Sequence, residues 1–187
     1  MPNHITSYVQ IKGDKEALDK LKKKTLTIKD EVAEFDFNGI IKTPDEIART
    51  GSPTQIVATQ EEADKINEEH GKSPFNEGID IWAITEEEKQ RRLKKYGAIN
   101  WYDFHCDKWG TKWGAYDVSI IANKDDELVM QHDSAWSPPE PIWDKLSEMG
   151  FTVNAVWQDE DPSNQGEYGD PYEAFDIDHR ITVEYMG

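Results

Sequence analysis

Apolar and polar residues alternate along two consecutive stretches in the middle of the chain. The alternation covers residues 115–122 and resumes over 127–136, and the polar residues 123–126 separate the two stretches. A period of two is typical of strands with one buried face, and a short polar turn between two such strands predicts a hairpin. This hairpin is the centre of the predicted fold.

The same alternation predicts three further strands. They lie at residues 5–11, 151–157 and 177–185. The last of these places Ile177, His179 and Ile181 on one face, so His179 is predicted to pack against the core.

Two helices are predicted between these strands. Asp14 is an N-cap for a first helix over residues 15–24. Ser137 is predicted to cap a second helix over 138–149, because Pro138 then takes the first helical position and a glutamate completes a capping box.

Taken in order, these elements predict an α+β fold of the ferredoxin-like type. The order strand, helix, strand, strand, helix, strand is βαββαβ, an antiparallel sheet with its helices on one face. We predict a single domain over residues 1–187. Residues 26–99 are predicted to be a helical insertion, and 177–185 an extra C-terminal strand.

Composition changes this picture mainly through charge. Asp and Glu number 38 against 21 Lys and Arg, a formal net charge of -17. Such a field repels nucleic acid and anionic membranes, and it favours basic partners or simply solubility. The late part of the chain carries a concentration of acids, and we take six of them as a candidate acidic surface: Asp159, Glu160, Asp161, Glu167, Asp170 and Glu173.

The sequence predicts a protein of a reducing cytoplasm. It contains no apolar run long enough to span a membrane and no N-terminal secretory signal. Its one cysteine, Cys106, cannot form an internal disulfide. We expect no membrane partner.

A second candidate surface comes from a tryptophan-rich pair of motifs around the hairpin. Its candidate residues are Trp109, Lys112, Trp113, Asp133 and Trp136. In one interpretation the indoles cover the sheet edge as part of the core. In the other they form an aromatic platform for a partner, or stack on nucleotides with Lys112 at a phosphate.

The sequence offers little for catalysis or metal binding. His105, Cys106 and Asp107 are adjacent, so on a helix their side chains point about 100° apart and cannot chelate one ion. Asp176 and Asp178 share a strand face that His179 does not. No nucleophile elbow, P-loop or zinc-protease motif is present. We therefore predict no catalytic residue, no metal site and no cofactor.

Four motifs in order resemble a known family. They are M-P-N-H-I-T at the start, F-D-F-N-G-I-I-K-T-P at 35–44, N-W and W-G-T-K-W within 100–113, and A-W-S-P-P-E-P at 135–141. Together they resemble the phage and plasmid proteins with a YubB-type ferredoxin-like domain, which include Api-type phage proteins. The resemblance implies a ferredoxin-like fold and an origin in a bacterial mobile element. It implies no catalytic site.

Three functional hypotheses follow. The first is a non-enzymatic accessory protein that binds and inhibits a basic host protein, such as an anti-CRISPR or anti-restriction factor acting in the bacterial cytoplasm. The second is a nucleotide or nucleic-acid binding module that uses the tryptophan motifs, which the net charge opposes. The third is an uncharacterised hydrolase. We favour the first, in which the partner is a host protein with a basic surface and direct nucleic-acid binding is not expected.

Overall fold

The computed structural model describes residues 3–30, 32–70 and 81–172. The chain divides into two compact units. The sheet unit comprises Met1–Lys42 and Lys108–Gly187, and the small unit comprises Thr43–Asp107.

Among its described residues, the sheet unit contains seven strands and two long helices. In chain order these are β1 (His4–Lys12), α1 (Lys15–Thr25), β2 (Leu26–Lys29), β3 (Val32–Phe35), β6 (Tyr116–Asn123), β7 (Glu127–Ala135), α6 (Glu140–Glu148), β8 (Thr152–Asp159) and β9 (Gln165–Tyr168). The intervening elements are α2 (Asp45–Ala48), β4 (Thr50–Val57), α3 (Gln60–His70), β5 (Ile81–Thr85), α4 (Glu86–Tyr96) and α5 (Trp101–Lys108).

The seven strands form one antiparallel sheet in the order β2-β3-β6-β7-β1-β8-β9. Its four central strands, together with α1 and α6, have the ferredoxin-like βαββαβ connectivity. The predicted fold class is therefore confirmed. The predicted C-terminal strand at 177–185 lies outside the described residues.

One face of the sheet forms the core with the two helices. Strand pairing aligns Leu128, Ile11 and Val153 in one row across β7, β1 and β8, and Met130, Val9 and Ala155 in the next. These rows form one apolar cluster with buried residues of α1 and α6: Leu18, Leu21, Ile142, Trp143 and Leu146. Fully burying a side chain of this kind contributes about 1.5–3 kcal/mol, so the two rows fix which side the helices cover.

The opposite face of the sheet carries a chain of amide hydrogen bonds. Gln10 Nε2 donates to Glu127 Oε1 at 2.7 Å, and Asn154 Nδ2 donates to Gln10 Oε1 at 2.9 Å. The Asn154 oxygen accepts from the backbone N–H of Asp170 at 2.8 Å. These bonds connect β7, β1 and β8 and satisfy the buried Gln10 and Asn154 side chains.

The structure corrects the predicted start of the second helix. α6 begins at Glu140, and Pro139 is its N-cap residue. Ser137 does not cap it, because its hydroxyl donates instead to the carbonyl oxygen of Gly110. The segment after Asp159, for which the sequence analysis predicted no strand, contains β9.

Residues 26–99, predicted as an insertion, divide between the two units. Residues 26–42 lie in the sheet unit, where β2 and β3 extend the sheet beyond β6. The remainder lies in the small unit, which continues to residue 107.

The small unit contains a parallel strand pair, β4 and β5, joined through α3. Asn67 of α3 pairs with the backbone of β5. Its Oδ1 accepts from the N–H groups of Trp82 and Ala83 at 2.7 and 2.8 Å, and its Nδ2 donates to the carbonyl oxygen of Ala83 at 3.0 Å. One side chain thus satisfies three backbone groups that a neighbouring strand would otherwise pair.

None of the helices in the described part of the chain has the length and apolar character needed to cross a membrane.

Candidate interaction surface

Three of the predicted tryptophan-motif residues meet at one end of the β6–β7 hairpin. Lys112 Nζ lies over the ring of Trp113, 4.7 Å from its centroid, and over the ring of Trp136, 5.0 Å from its centroid. Both distances are within the range of cation–π attraction. The two tryptophans are 40% and 45% exposed, so they remain accessible to a partner.

The W-G-T-K-W segment is held against the end of β7 by Thr111. The buried Thr111 hydroxyl donates to the carbonyl oxygen of Ala135 at 2.8 Å and accepts from the Ala135 N–H at 3.0 Å. Because these two bonds fix the backbone at Thr111, they set the positions of the flanking Lys112 and Trp113.

Trp136 is held in an unusual backbone conformation. Its φ is +74°, in the left-handed region, and its N–H donates to the carbonyl oxygen of Asn3 at 2.9 Å. That conformation costs a residue with a Cβ roughly 1–2 kcal/mol. Conformations of this kind cluster at binding sites, where the surrounding structure maintains them.

Tyr116 and His4 extend the aromatic surface. The Tyr116 ring lies edge-on to Trp113, with centroids 6.3 Å apart, and edge-on to His4 at 5.7 Å. The Tyr116 hydroxyl and His4 Nδ1 are 2.8 Å apart and share a hydrogen bond. We call the set His4, Lys112, Trp113, Tyr116 and Trp136 the aromatic patch.

Three carboxylates border the aromatic patch. The pKa of Tyr116 is raised to about 12, first by burial and then by the negative charges of Asp133, Asp117 and Glu160. Asp133 accepts from the Thr6 hydroxyl at 2.8 Å, and Glu160 accepts from the His4 backbone N–H at 3.2 Å. The predicted residues Asp133 and Glu160 therefore belong to the same surface. We call Asp117, Asp133 and Glu160 the patch carboxylates.

Trp109, by contrast, is part of the core. It is 3% exposed, its Nε1 donates to the carbonyl oxygen of Ile41 at 2.9 Å, and its ring lies edge-on to Phe37 at 5.7 Å. A partner therefore cannot reach its indole without unfolding the surrounding structure.

The remaining predicted acids of the described residues lie in different surroundings. Asp159 is buried and accepts from the Asn164 amide at 2.9 Å. Asp161 closes a turn, where the N–H and hydroxyl of Ser163 lower its pKa. Glu167 and Asp170 are exposed near β9, and hydrogen bonding to Glu167 raises the pKa of Tyr172. Glu173 lies outside the described residues.

The chemistry that this surface supports is the binding of cations. Its indole faces already hold one ammonium group, and the patch carboxylates supply negative charge beside them. Within residues 3–30, 32–70 and 81–172, no three His, Cys, Asp or Glu side chains are grouped as metal ligands. Asp176, Asp178 and His179, considered for a hydrolase, lie outside that part of the chain.

Sequence reasoning missed His4, Tyr116 and Asp117. His4 lies far along the chain from Tyr116 and Asp117, and the pairing of β7 with both β1 and β6 brings them together. The one local signal was Tyr116, three residues after Trp113 at the end of the W-G-T-K-W segment.

Comparison with known proteins agrees with this architecture. No curated protein matches the chain, and no solved structure matches it. Residues 109–177 match the family model described as a ferredoxin-like domain in Api92-like protein. The matched segment includes β6, β7, α6, β8 and β9, and with them all of the aromatic patch except His4. For this part of the chain, the ferredoxin-like domain and the resemblance to Api-type proteins are supported.

Proposed function

We propose that this chain is a non-enzymatic accessory protein that binds a basic partner protein through the aromatic patch and its carboxylates. The observation that carries the proposal is the pair of exposed indoles, Trp113 and Trp136, beside three carboxylates at one end of the sheet. Tryptophan is enriched among the residues that dominate protein interfaces, and negative charge around it steers a basic partner toward it.

The net charge of -17 supports the same partner class. A basic surface is common on proteins that handle nucleic acid, so the partner that fits best is a nucleic-acid-handling protein of a bacterial host. Occupying its basic groove would inhibit it, as in an anti-CRISPR or anti-restriction role in the bacterial cytoplasm. The motifs shared with phage and plasmid proteins favour this setting.

The test compares two variants with equal charge changes. Asp117→Asn/Glu160→Lys alters the patch carboxylates. Asp126→Asn/Glu16→Lys makes the same change at exposed positions, in the hairpin turn at the opposite end of β6 and on α1. Each tagged protein is incubated with nuclease-treated bacterial lysate at low and high salt, and retained proteins are identified by mass spectrometry.

We expect the unmodified chain and the control variant to retain a basic protein at low salt and to release it at high salt. The patch variant should not retain that protein. Equal retention by the two variants would overturn the proposal. Recovery of nucleic acid alone from lysate without nuclease treatment would favour the nucleic-acid binding alternative.

A further inference from the structure

The position of Lys112 shows that the two exposed indoles can hold a cation. Its ammonium nitrogen is 4.7 Å from the Trp113 ring centroid and 5.0 Å from that of Trp136. The backbone is fixed next to each ring. The Thr111 hydrogen bonds fix it beside Trp113, and the left-handed conformation fixes it at Trp136. The backbone that carries the rings is therefore positioned before any partner arrives, which lowers the entropy cost of binding.

We propose that Trp113 and Trp136 are a receptor for an arginine side chain of the partner protein, and that Lys112 competes with it for the same ring faces. This inference rests on the proposed function and names its central contact. Arginine fits better than lysine because its planar guanidinium is more weakly hydrated and stacks on aromatic faces.

The patch carboxylates complete the receptor. A guanidinium stacked on an indole still presents N–H donors at its edge, and a carboxylate can accept two of them at once. Glu160 has 59% of its side chain exposed, so it is accessible to such a donor. The same three negative charges oppose the phosphates of a nucleic acid, whose bases would otherwise stack on the indoles.

The test removes the internal competitor. Lys112→Gln is compared with Lys20→Gln, which removes the same charge from the exposed face of α1. Binding of a fluorescein-labelled Gly-Ser peptide carrying spaced arginines is measured by anisotropy at physiological salt. We expect Lys112→Gln to bind the peptide about three- to tenfold more tightly than Lys20→Gln. Adding Trp113→Ala or Trp136→Ala to Lys112→Gln should abolish that gain, while far-UV circular dichroism stays unchanged.

Three outcomes would overturn the receptor. Lys112→Gln could bind the peptide no more tightly than Lys20→Gln, or the gain could survive removal of either tryptophan. Alternatively, a labelled oligothymidylate could bind the unmodified chain and lose affinity in Lys112→Gln, which would make Lys112 a phosphate contact. After any of these outcomes, the proposed function still stands if Asp117→Asn/Glu160→Lys loses the basic partner in the lysate experiment. The failure of the receptor and the failure of the proposed function are therefore distinguishable.

Discussion

At the scale of single residues, His132 is a buried titratable group of the sheet. Its side chain is fully buried on the helix-covered face, edge-on to Phe37 at 6.0 Å. Burial lowers the pKa of His132 to about 4 from 6.5, because the charged imidazolium cannot be hydrated there. The Nε2 atom has no protein partner in the described structure, and Nδ1 lies 3.3 Å from the carbonyl oxygen of Asp133.

We predict that His132 makes the protein less stable in mild acid. The unfolded chain takes up a proton near pH 6.5, whereas the folded chain resists protonation until about pH 4. The contribution is therefore fully present above the unfolded pKa and decreases as pH falls between these values, by at most about 1.4 kcal/mol per pH unit. Urea unfolding across this range measures the free energy of unfolding.

The matched variant for this prediction is His132→Gln, which cannot be protonated. All other titratable groups are the same in both proteins, so the difference between their free energies of unfolding isolates His132. A difference that does not change from pH 7 to pH 4 would contradict the prediction.

One residue-scale prediction from the sequence is confirmed because it depends only on local geometry. Asp14 accepts from the Ala17 N–H as the predicted helix cap. Thr85 and Asn100 accept in the same way from the N–H groups of Glu88 and Asp103. Ser137 had an equally strong capping pattern, and that prediction was wrong. A long-range bond to Gly110, which no local pattern reports, takes its hydroxyl.

At the scale of elements, strands with clear alternation were predictable and short polar strands were not. β9 contains Gly166, where a Cβ would lie 2.5 Å from Cζ2 of Trp157, so the glycine is required for the indole to lie across the strand. Glycine in a sequence pattern instead indicates a loop. β4 was missed for a similar reason, since Gly51 and Pro53 interrupt its apolar pattern.

The Asn67 side chain gives a prediction for β5. Asn67→Asp keeps an acceptor for the Trp82 and Ala83 N–H groups, but it places a second oxygen against the carbonyl oxygen of Ala83. We expect the free energy of opening at β5 to fall by about 1–3 kcal/mol. Amide hydrogen exchange at Trp82 and Ala83, followed by NMR, measures this change.

The control for Asn67→Asp is Gln90→Glu. It makes the same amide-to-acid change on α4, where the Gln90 side chain donates an exposed hydrogen bond to Glu86. We expect exchange at β5 to be unchanged in that variant. Equal exchange rates in Asn67→Asp and the unmodified protein would show that the side chain does not stabilise the strand.

At the scale of the whole molecule, the sheet unit contains its own core. The large apolar cluster draws all of its residues from the segments before residue 43 and after residue 107. The two segments come together where Trp109 Nε1 donates to the Ile41 carbonyl oxygen at 2.9 Å. The small unit is therefore inserted between chain positions that already lie close together.

We predict that the sheet unit folds without the small unit. Replacing residues 43–107 with a short Gly-Ser linker should leave the sheet and the aromatic patch intact, because closing a short flexible loop costs little free energy. Circular dichroism and the NMR indole signals of Trp113 and Trp136 would show this. An unfolded product, with both a shorter and a longer linker, would show that the sheet unit depends on the rest of the chain.

The candidate site could be predicted only in part from the sequence, because some of its residues come together only in the folded sheet. The W-G-T-K-W motif identified Lys112 and Trp113 because the residues are neighbours in the chain. Its first tryptophan, Trp109, belongs to the core, and the motif alone could not separate it from the second. Only the sheet pairing brings His4 and Glu160 beside them.

The Asn67 contact with β5 also bears on aggregation. Strand edges with unpaired backbone groups are templates on which another chain can add a strand, and they start domain swapping and fibre growth. At Trp82 and Ala83 an incoming strand meets backbone groups that the amide of Asn67 already occupies. A small parallel strand pair can thus remain soluble on that side with the protection of one helix side chain instead of a third strand.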